Sequence, residues 1–303
     1  MQQFDLAINN GVVINADGRQ IANVGISEGK IVTLSGTPLH AERVIDAAGK
    51  WVIPGVIDTH VHYKLKQGQG DDAILSDDDY NNGPVAAAVG GVTTFIDFAI
   101  APRAQSHIAF LKERIALAQA GSCIDFSFHA GITNPVPEVL SEFPKIVEMG
   151  IPSFKFFVNY KAWGFAVDLG FLYDTLKLLR DLNGVACVHC EQDEILEYLR
   201  KKYAADPALI NHSLTRPDFA EEIAIYELMT LARETDSRLY VVHLSTQKGL
   251  DLIRWGQAGG IRVRTETCPH YLEFSEEVYK QPNGVLYTMT PPLRPEGNQE
   301  ALW

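Results

Sequence analysis

The sequence predicts an α/β protein built on a parallel β-sheet, and three observations lead to that class. Apolar runs of strand length alternate with longer amphipathic segments through most of the chain. The runs are almost continuously apolar, which is typical of parallel strands buried on both faces. The 303 residues, of which 46% are hydrophobic, suffice for one barrel-sized domain or for a domain with an appendage.

Residues 1–54 form the first predicted domain, a small β-domain. Their short apolar runs are broken by Gly, Asn and Asp, and no helical periodicity interrupts them. Tight turns are predicted at SEGKIV and at DAAGKWV. The pattern changes after Pro54 and Gly55, so the second domain is predicted to span residues 55–303.

Seven strands and several long helices are predicted in the second domain. The strand candidates read GVIDTHVH, GVTTFIDFAI, IDFSFHAGI, SFKFFV, VACVHCE, LYVVHLS and IRVRTETC. The helix candidates include AQSHIAFLKERIALAQAG, LGFLYDTLKLLRDLNG and PDFAEEIAIYELMTLARETD. Seven strands are one short of a closed (β/α)8 barrel, whose chemistry lies at the C-terminal strand ends. The alternative is an open doubly wound sheet, although no glycine-rich nucleotide-binding motif follows any strand.

Composition and the N-terminus argue against several classes of function. The net charge of −12, with no basic run to offset it, makes nucleic acid an unexpected partner. The start, MQQFDLAINNG, shows no signal peptide, and no apolar run reaches the roughly 18 residues of a spanning helix. No membrane partner and a cytoplasmic location are therefore expected. Cys187 and Cys190 form a C-x-x-C pair without a second such pair, so reduced thiols are expected instead of a zinc or redox motif.

Four histidines stand at or near the predicted C-terminal ends of strands. His60 and His62 are two residues apart, so their side chains would project from the same face of one strand. In a barrel, His189 and His243 would face the same cavity from two other strands. Neutral imidazoles suit zinc and similar divalent ions. The alternative for His60 and His62 is a pair of core histidines bonded to neighbouring backbone.

Lys155 stands between phenylalanines in SFKFFV, where a free ammonium group could not be solvated. A snorkelling or ion-paired lysine is one explanation. The four histidines favour another, because a buried lysine loses its proton more easily. The neutral amine can then add carbon dioxide, which gives a carbamate whose oxygens could bridge two cations.

Seven motifs follow one another along nearly the whole chain and carry a family resemblance. They read PGVIDTHVH, AAAVGGVTTFIDF, SFKFFVNYK, VHCEQDEI, YVVHLS, TETCPHYL and MTPPLR. Together they resemble the cyclic amidohydrolases, specifically the hydantoinase and dihydropyrimidinase family. The resemblance implies a (β/α)8 TIM-type barrel with a β-sandwich appendage formed by both chain ends, so residues 1–54 become the N-terminal sandwich portion.

The resemblance also implies a feature that the chain lacks. The family carries an aspartate on the eighth strand, which completes the shell of the first metal and shuttles the proton. Here the sequence stops at Trp303, just as a helix begins in EGNQEALW. The last barrel strand is therefore expected to be missing, and residues 55–303 are expected to be a C-terminally truncated barrel.

The site implied by the resemblance contains two divalent metal ions, expected to be zinc, bridged by a carboxylated lysine. The implied ligands are His60 and His62 for the first ion, His189 and His243 for the second, and Lys155 for the bridge. Tyr160 takes the place of the family's oxyanion-stabilising tyrosine. Thr290 stands where a serine contacts the substrate ring through its backbone.

The implied activity is hydrolysis of the cyclic amide bond of a ureide, a hydantoin or a dihydropyrimidine, to an N-carbamoyl amino acid by a metal-bridging hydroxide. Allantoinases and dihydroorotases are alternative assignments. Dihydroorotases favour a carboxylate-binding arginine at the position where this chain has Lys64. A solvated loop residue is an equally good interpretation of Lys64. An alternative of another class is a non-catalytic dihydropyrimidinase-related scaffold protein, which would have lost metal ligands. The expected small-molecule partner is a cyclic ureide. The full-length form is expected to be a homo-oligomer, either a tetramer or a dimer. The loop at residues 63–83 is expected to shape its pocket.

Overall fold

The structure is a computed structural model that describes residues 4–67, 74–103 and 105–303. Its strands are β1 (Phe4–Asn15), β2 (Gly18–Ser27), β3 (Lys30–Ser35), β4 (Ala41–Asp46), β5 (Trp51–Val52), β6 (Val56–Val61), β7 (Lys66–Gln67), β8 (Ile74–Leu75), β9 (Val92–Ile100), β10 (Asp125–Gly131), β11 (Ser153–Phe157), β12 (Val185–His189), β13 (Leu239–Val241) and β14 (Val263–Thr265). Its α-helices are α1 (Gly83–Val89), α2 (His107–Gly121), α3 (Phe143–Glu148), α4 (Leu169–Asp181), α5 (Asp193–Tyr203), α6 (Asn211–Leu214), α7 (Asp218–Thr235), α8 (Gln247–Ala258), α9 (Pro269–Glu273) and α10 (Asn298–Leu302). Short 3₁₀ helices lie at Pro137–Glu142, Lys161–Trp163, Glu276–Lys280 and Gly284–Tyr287.

The chain divides into two units, one built from the described residues up to 57 together with 87–94, the other from the remaining described residues. The first unit contains a mixed sheet in the order β3-β2-β1-β4, and β5 also pairs with β1. Glu28 and Gly29 connect β2 to β3 with positive φ angles of 50° and 72°, the two-residue geometry that suits a twisted hairpin. Both predicted tight turns are confirmed, the second by a hydrogen bond of 2.9 Å from Lys50 N to Ala47 O. Sandwich packing in this unit stays a prediction.

The second unit is organised around a seven-stranded sheet in the order β14-β13-β12-β11-β10-β9-β6. All seven predicted strands are present, and each lies beside its predecessor in the chain. The pairings from β10 to β14 are parallel. The α/β class is therefore confirmed. As expected, the part of the chain that the structure describes contributes seven strands to this sheet, one short of a closed barrel.

The three predicted helices correspond to α2, α4 and α7. Ser106 and Asp168 cap α2 and α4 by accepting hydrogen bonds from backbone N–H groups of the first turn, so these side chains fix where the helices begin. Ala104, in the first predicted segment, lies outside the described residues. The four cysteines are free, as predicted. Within the described ranges, every helix is too short or too polar to cross a bilayer.

Alternation along the strands separates a helix-facing layer from an inner layer. Phe154 and Phe156 on β11 pack into the large core cluster with the helices, whereas Lys155 points to the opposite face. On the neighbouring strand β12, Cys187 belongs to a second, smaller cluster and stands in register with Lys155. Phe157 stands in register with His189 at the C-terminal strand ends. The sheet therefore places Lys155 and His189 on its inner side.

Candidate metal centre

The four predicted histidines lie together at the C-terminal ends of β6, β12 and β13. The ring centroids of His60 and His62 are 5.1 Å apart, and those of His60 and His243 are 5.2 Å apart. The rings of His189 and His243 are closer still, at 4.5 Å. His243 holds a left-handed backbone with φ of 41°, which is strained for a residue with a Cβ. The convergence predicted from the strand ends is therefore present.

Burial keeps these imidazoles neutral. It lowers the pKa of His189 to about 4 and holds the pKa values of His62 and His243 well below the usual range. The pKa of His60 is also lowered by burial. A neutral imidazole has a free lone pair, which is the form that binds metal ions. The electrostatics of the cluster thus favour metal ligation over cationic histidines.

Two carboxylates orient two of the rings. Glu191 Oε2 accepts a hydrogen bond of 2.6 Å from His189 Nε2, and Glu266 Oε1 is bonded to His60 Nδ1. An ionised carboxylate can only accept, so each bond fixes the proton on the bonded nitrogen and leaves the other ring nitrogen available. Burial alone would raise the pKa of Glu191, but Arg216 and His189 hold it well below its usual range.

The remaining ring nitrogens allow a test of whether a metal fits. Nδ1 of His62 and Nδ1 of His243 are buried with no hydrogen-bond partner among the described residues. His129 differs, because Thr59 O and Ser153 Oγ satisfy its two ring nitrogens at 3.1 and 2.6 Å. Buried polar atoms are costly without a partner, so the two orphaned nitrogens are suited to an electrophilic ligand.

The described part of the chain holds no group of three or more His, Cys, Asp or Glu side chains already arranged to hold a metal ion. The fit therefore rests on the neutral, converging rings and on their orphaned nitrogens, not on preformed coordination.

Lys155 is a buried amine without a counter-ion in the described part of the chain. It is 1% exposed, and its Nζ lies 5.0 Å from the ring centroids of Phe98 and Phe157. A snorkelling lysine would reach solvent, and the burial of Lys155 excludes this explanation. Ion pairing does not explain it either, because its Nζ makes no ion pair or hydrogen bond with any described residue. Burial lowers the pKa of Lys155 to about 8, so a neutral amine is accessible near physiological pH.

Tyr160 and Thr290, separated by 130 positions in the sequence, meet beside this cluster. The ring of Tyr160 lies 5.3 Å from that of His189 and stacks at 5.0 Å on Trp163. Burial raises the pKa of the Tyr160 phenol, while the neighbouring Arg216 and Thr290 side chains act in the opposite direction. The hydroxyl therefore stays protonated and can donate a hydrogen bond.

A cavity of about 540 Å³ adjoins the cluster. Phe98, whose ring lies 4.4 Å from that of His60, forms part of its wall. The lining also includes aromatic and basic residues, among them Lys64, Lys66, Arg103, Trp163 and Phe165. Two of these come from the loop at residues 63–83, of which residues 68–73 lie outside the described part.

Sequence reasoning missed the residues that support the cluster. Glu191 and Glu266 occur in the quoted motifs VHCEQDEI and TETCPHYL, and Glu191 follows His189 by two positions, which was an available signal. Arg216 bonds Glu191 from a loop 25 residues away, and no local pattern marks it.

The comparisons with known proteins agree with these observations. A family model described as the amidohydrolase family matches residues 51–233. The D-hydantoinases of Ralstonia pickettii and Geobacillus stearothermophilus are 34% and 36% identical over 99% and 98% of this chain, and the alignments cover 65% and 63% of those proteins. A dihydropyrimidinase structure from Brevibacillus agri superposes with a TM-score of 0.92 at 33% identity, covering 98% of this chain and 65% of that one.

The chain thus spans about two thirds of the length of the relatives it matches. The resemblance to hydantoinases and dihydropyrimidinases predicted from the motifs is confirmed. With the family model matching more than half of its residues, the chain belongs to the amidohydrolase family.

Proposed function

We propose that the protein hydrolyses the cyclic amide bond of a ureide, a hydantoin or a dihydropyrimidine, to an N-carbamoyl amino acid. The observation that carries the proposal is Lys155, a fully buried amine without a described counter-ion beside four neutral histidines. The similar proteins named D-hydantoinase and dihydropyrimidinase support this choice of reaction.

Two divalent ions, zinc being our proposal, would complete the centre. The residues that would hold them are His60 and His62 for one ion, His189 and His243 for the other, and carboxylated Lys155 between them. When bound, such ions supply a nucleophile near neutral pH and polarise the substrate carbonyl. The orphaned Nδ1 atoms of His62 and His243 support this assignment.

The chain's own residues position the substrate and its developing charge. Tyr160 keeps its phenolic proton because it is buried, so it can donate a hydrogen bond to the oxyanion that forms at the attacked carbonyl. Thr290 lies beside Tyr160 and would contact the ring of the ureide. The cavity behind Phe98 would take the substituent of that ring, and its aromatic walls would exclude water from the scissile amide.

The alternatives differ in what they require of this site. A dihydroorotase-like or allantoinase-like enzyme would use the same centre with another ureide, and Lys64 in the cavity wall offers a point charge to an acidic one. The scaffold alternative gains no support, because all five expected ligand residues are retained and four of their rings converge. Cytoplasmic location and a homo-oligomer, a tetramer or dimer, stay predictions.

The test is a ring-opening assay with hydantoin, dihydrouracil, allantoin and dihydroorotate on the zinc-loaded full-length form, in which the expected eighth-strand aspartate is present. Hydantoin and dihydrouracil should be opened, and Lys155→Ala should abolish the reaction, with partial rescue by short carboxylic acids that replace the bridging oxygens. Exposed Lys177→Ala serves as the control. Preferential opening of allantoin or dihydroorotate would select an alternative. Full zinc occupancy without opening of any of the four ureides would refute the proposed function.

A further inference from the structure

Arg216 is a buried arginine in the segment between α6 and α7. It is 3% exposed, and its backbone is fixed on both sides. Its N–H donates to Ser213 O at 2.8 Å, and its carbonyl accepts a hydrogen bond from Arg294 Nη1. The next residue, Pro217, caps α7. The guanidinium therefore projects from a rigid support.

The first group that this guanidinium holds is the carboxylate behind His189. Glu191 Oε2 accepts hydrogen bonds from Arg216 Nη1, from His189 Nε2 at 2.6 Å and from Asn159 Nδ2 at 3.2 Å. Glu191 is fully buried, and its other oxygen has no partner among the described residues. One carboxylate oxygen thus sets the orientation of the His189 ring, and Arg216 is the charged donor that holds it.

The second group is the phenol of Tyr160. The Arg216 Cζ lies 5.4 Å from the centroid of the Tyr160 ring, and the two side chains also form a hydrogen bond. Tyr160 has a left-handed backbone with φ of 67°, a conformation that a residue with a Cβ rarely adopts unless its surroundings hold it. Arg216 therefore contacts both the support of a metal ligand and the group assigned to the oxyanion.

We propose that Arg216 is a positioning residue that fixes the His189 ring, through Glu191, and the Tyr160 hydroxyl in one relative geometry. This role rests on the proposed function. The competing explanation is that Arg216 only neutralises the buried charge of Glu191. A lysine would meet that need, but its single ammonium lacks the planar fork of donors that reaches two acceptors in fixed directions.

The experiment compares Arg216→Lys and Arg216→Ala with the wild type in the metal-free protein titrated with Co²⁺, whose visible absorption reports coordination. Arg200→Lys is the matched control, because Arg200 pairs with Glu197 at 2.5 Å on α5 and touches neither Glu191 nor Tyr160. We expect Arg216→Lys to fold, as judged by its thermal transition. Its affinity for the more weakly held Co²⁺ should fall about 10–100-fold, with lower kcat and unchanged KM. Methylguanidinium should partly restore both quantities in Arg216→Ala.

The outcomes separate this role from the proposed function. A wild type that binds no Co²⁺ would overturn both. If the wild type binds two ions and Arg216→Lys has the same Co²⁺ affinity and kcat, the positioning role alone is overturned. Arg216 would then be only a counter-ion of Glu191. Absence of any methylguanidinium effect on a folded Arg216→Ala would overturn it as well.

Discussion

Replacing Lys155 by methionine should stabilise the metal-free protein at pH 7 while abolishing its activity. Methionine keeps the unbranched chain between Phe98 and Phe157 but removes the buried amine. Burial lowers the pKa of Lys155 from 10.5 to about 8, and a tenfold change in proton affinity corresponds to about 1.4 kcal/mol. The charged lysine therefore destabilises the folded state by about 3 kcal/mol at pH 7, and the variant should recover that amount.

The pH dependence has a definite sign. Below pH 8 both the folded and the unfolded wild type carry the proton, so the folded state bears the full cost of burying the charge. Between about pH 8 and 10.5 the unfolded state binds more protons than the folded state, so the free energy of unfolding of the wild type rises with pH. The advantage of Lys155→Met should therefore shrink from about 3 kcal/mol at pH 7 towards zero near pH 10.5.

Urea denaturation of the chelator-treated proteins at pH 7 and pH 9.5 measures this difference. Lys177→Met, at an exposed position on α4, is the control and should change stability equally at both pH values. A Lys155→Met protein that unfolds at the same or a lower urea concentration than wild type at pH 7 would contradict the reasoning. An advantage that stays constant with pH would do the same, because it would come from packing alone.

Three further substitutions test other parts of the site. Tyr160→Phe should lower kcat about 10²–10³-fold with little change in KM, measured by steady-state ring opening; a change confined to KM would count against an oxyanion role. Glu191→Gln should weaken metal binding about 10–100-fold in competition with a chelating dye, because the His189 ring loses its charged acceptor; unchanged affinity would exclude that support. Arg114→Met should lower the free energy of unfolding by about 3–5 kcal/mol, because it removes the ion-pair partner of the fully buried Asp97. The control Arg233→Met, in an exposed ion pair, should change the free energy of unfolding by less than about 1 kcal/mol. Similar urea midpoints for the two variants would refute this reasoning.

The parts of the fold that the sequence predicts are those with local or topological causes. Strands such as SFKFFV are recognisable because nearly every residue is apolar and the flanks break regular structure. The convergence of His60, His189 and His243 follows from a rule of topology, since parallel strands present their C-terminal ends at one edge of the sheet. Neither inference requires knowledge of which side chains contact one another in the folded structure.

The supporting residues could not be predicted in the same way, because their roles arise from contacts between distant segments. Glu266 meets His60 across 206 positions, and Arg216 meets Glu191 across 25. In the sequence, Arg216 is an arginine before a proline and reads as an ordinary helix start. Its burial and its two partners follow only from the packed structure.

Three positions of the candidate centre break local rules of protein structure. Lys155 buries a charge that lowers stability, and Tyr160 and His243 hold left-handed backbones that residues with a Cβ avoid. None of these choices improves the fold, and propensity alone would argue against each of them. Because the three residues belong to the same candidate centre, their costs have one common explanation in the metal chemistry proposed for it. A site that served only packing would have an apolar residue at position 155 and residues free of backbone strain at 160 and 243.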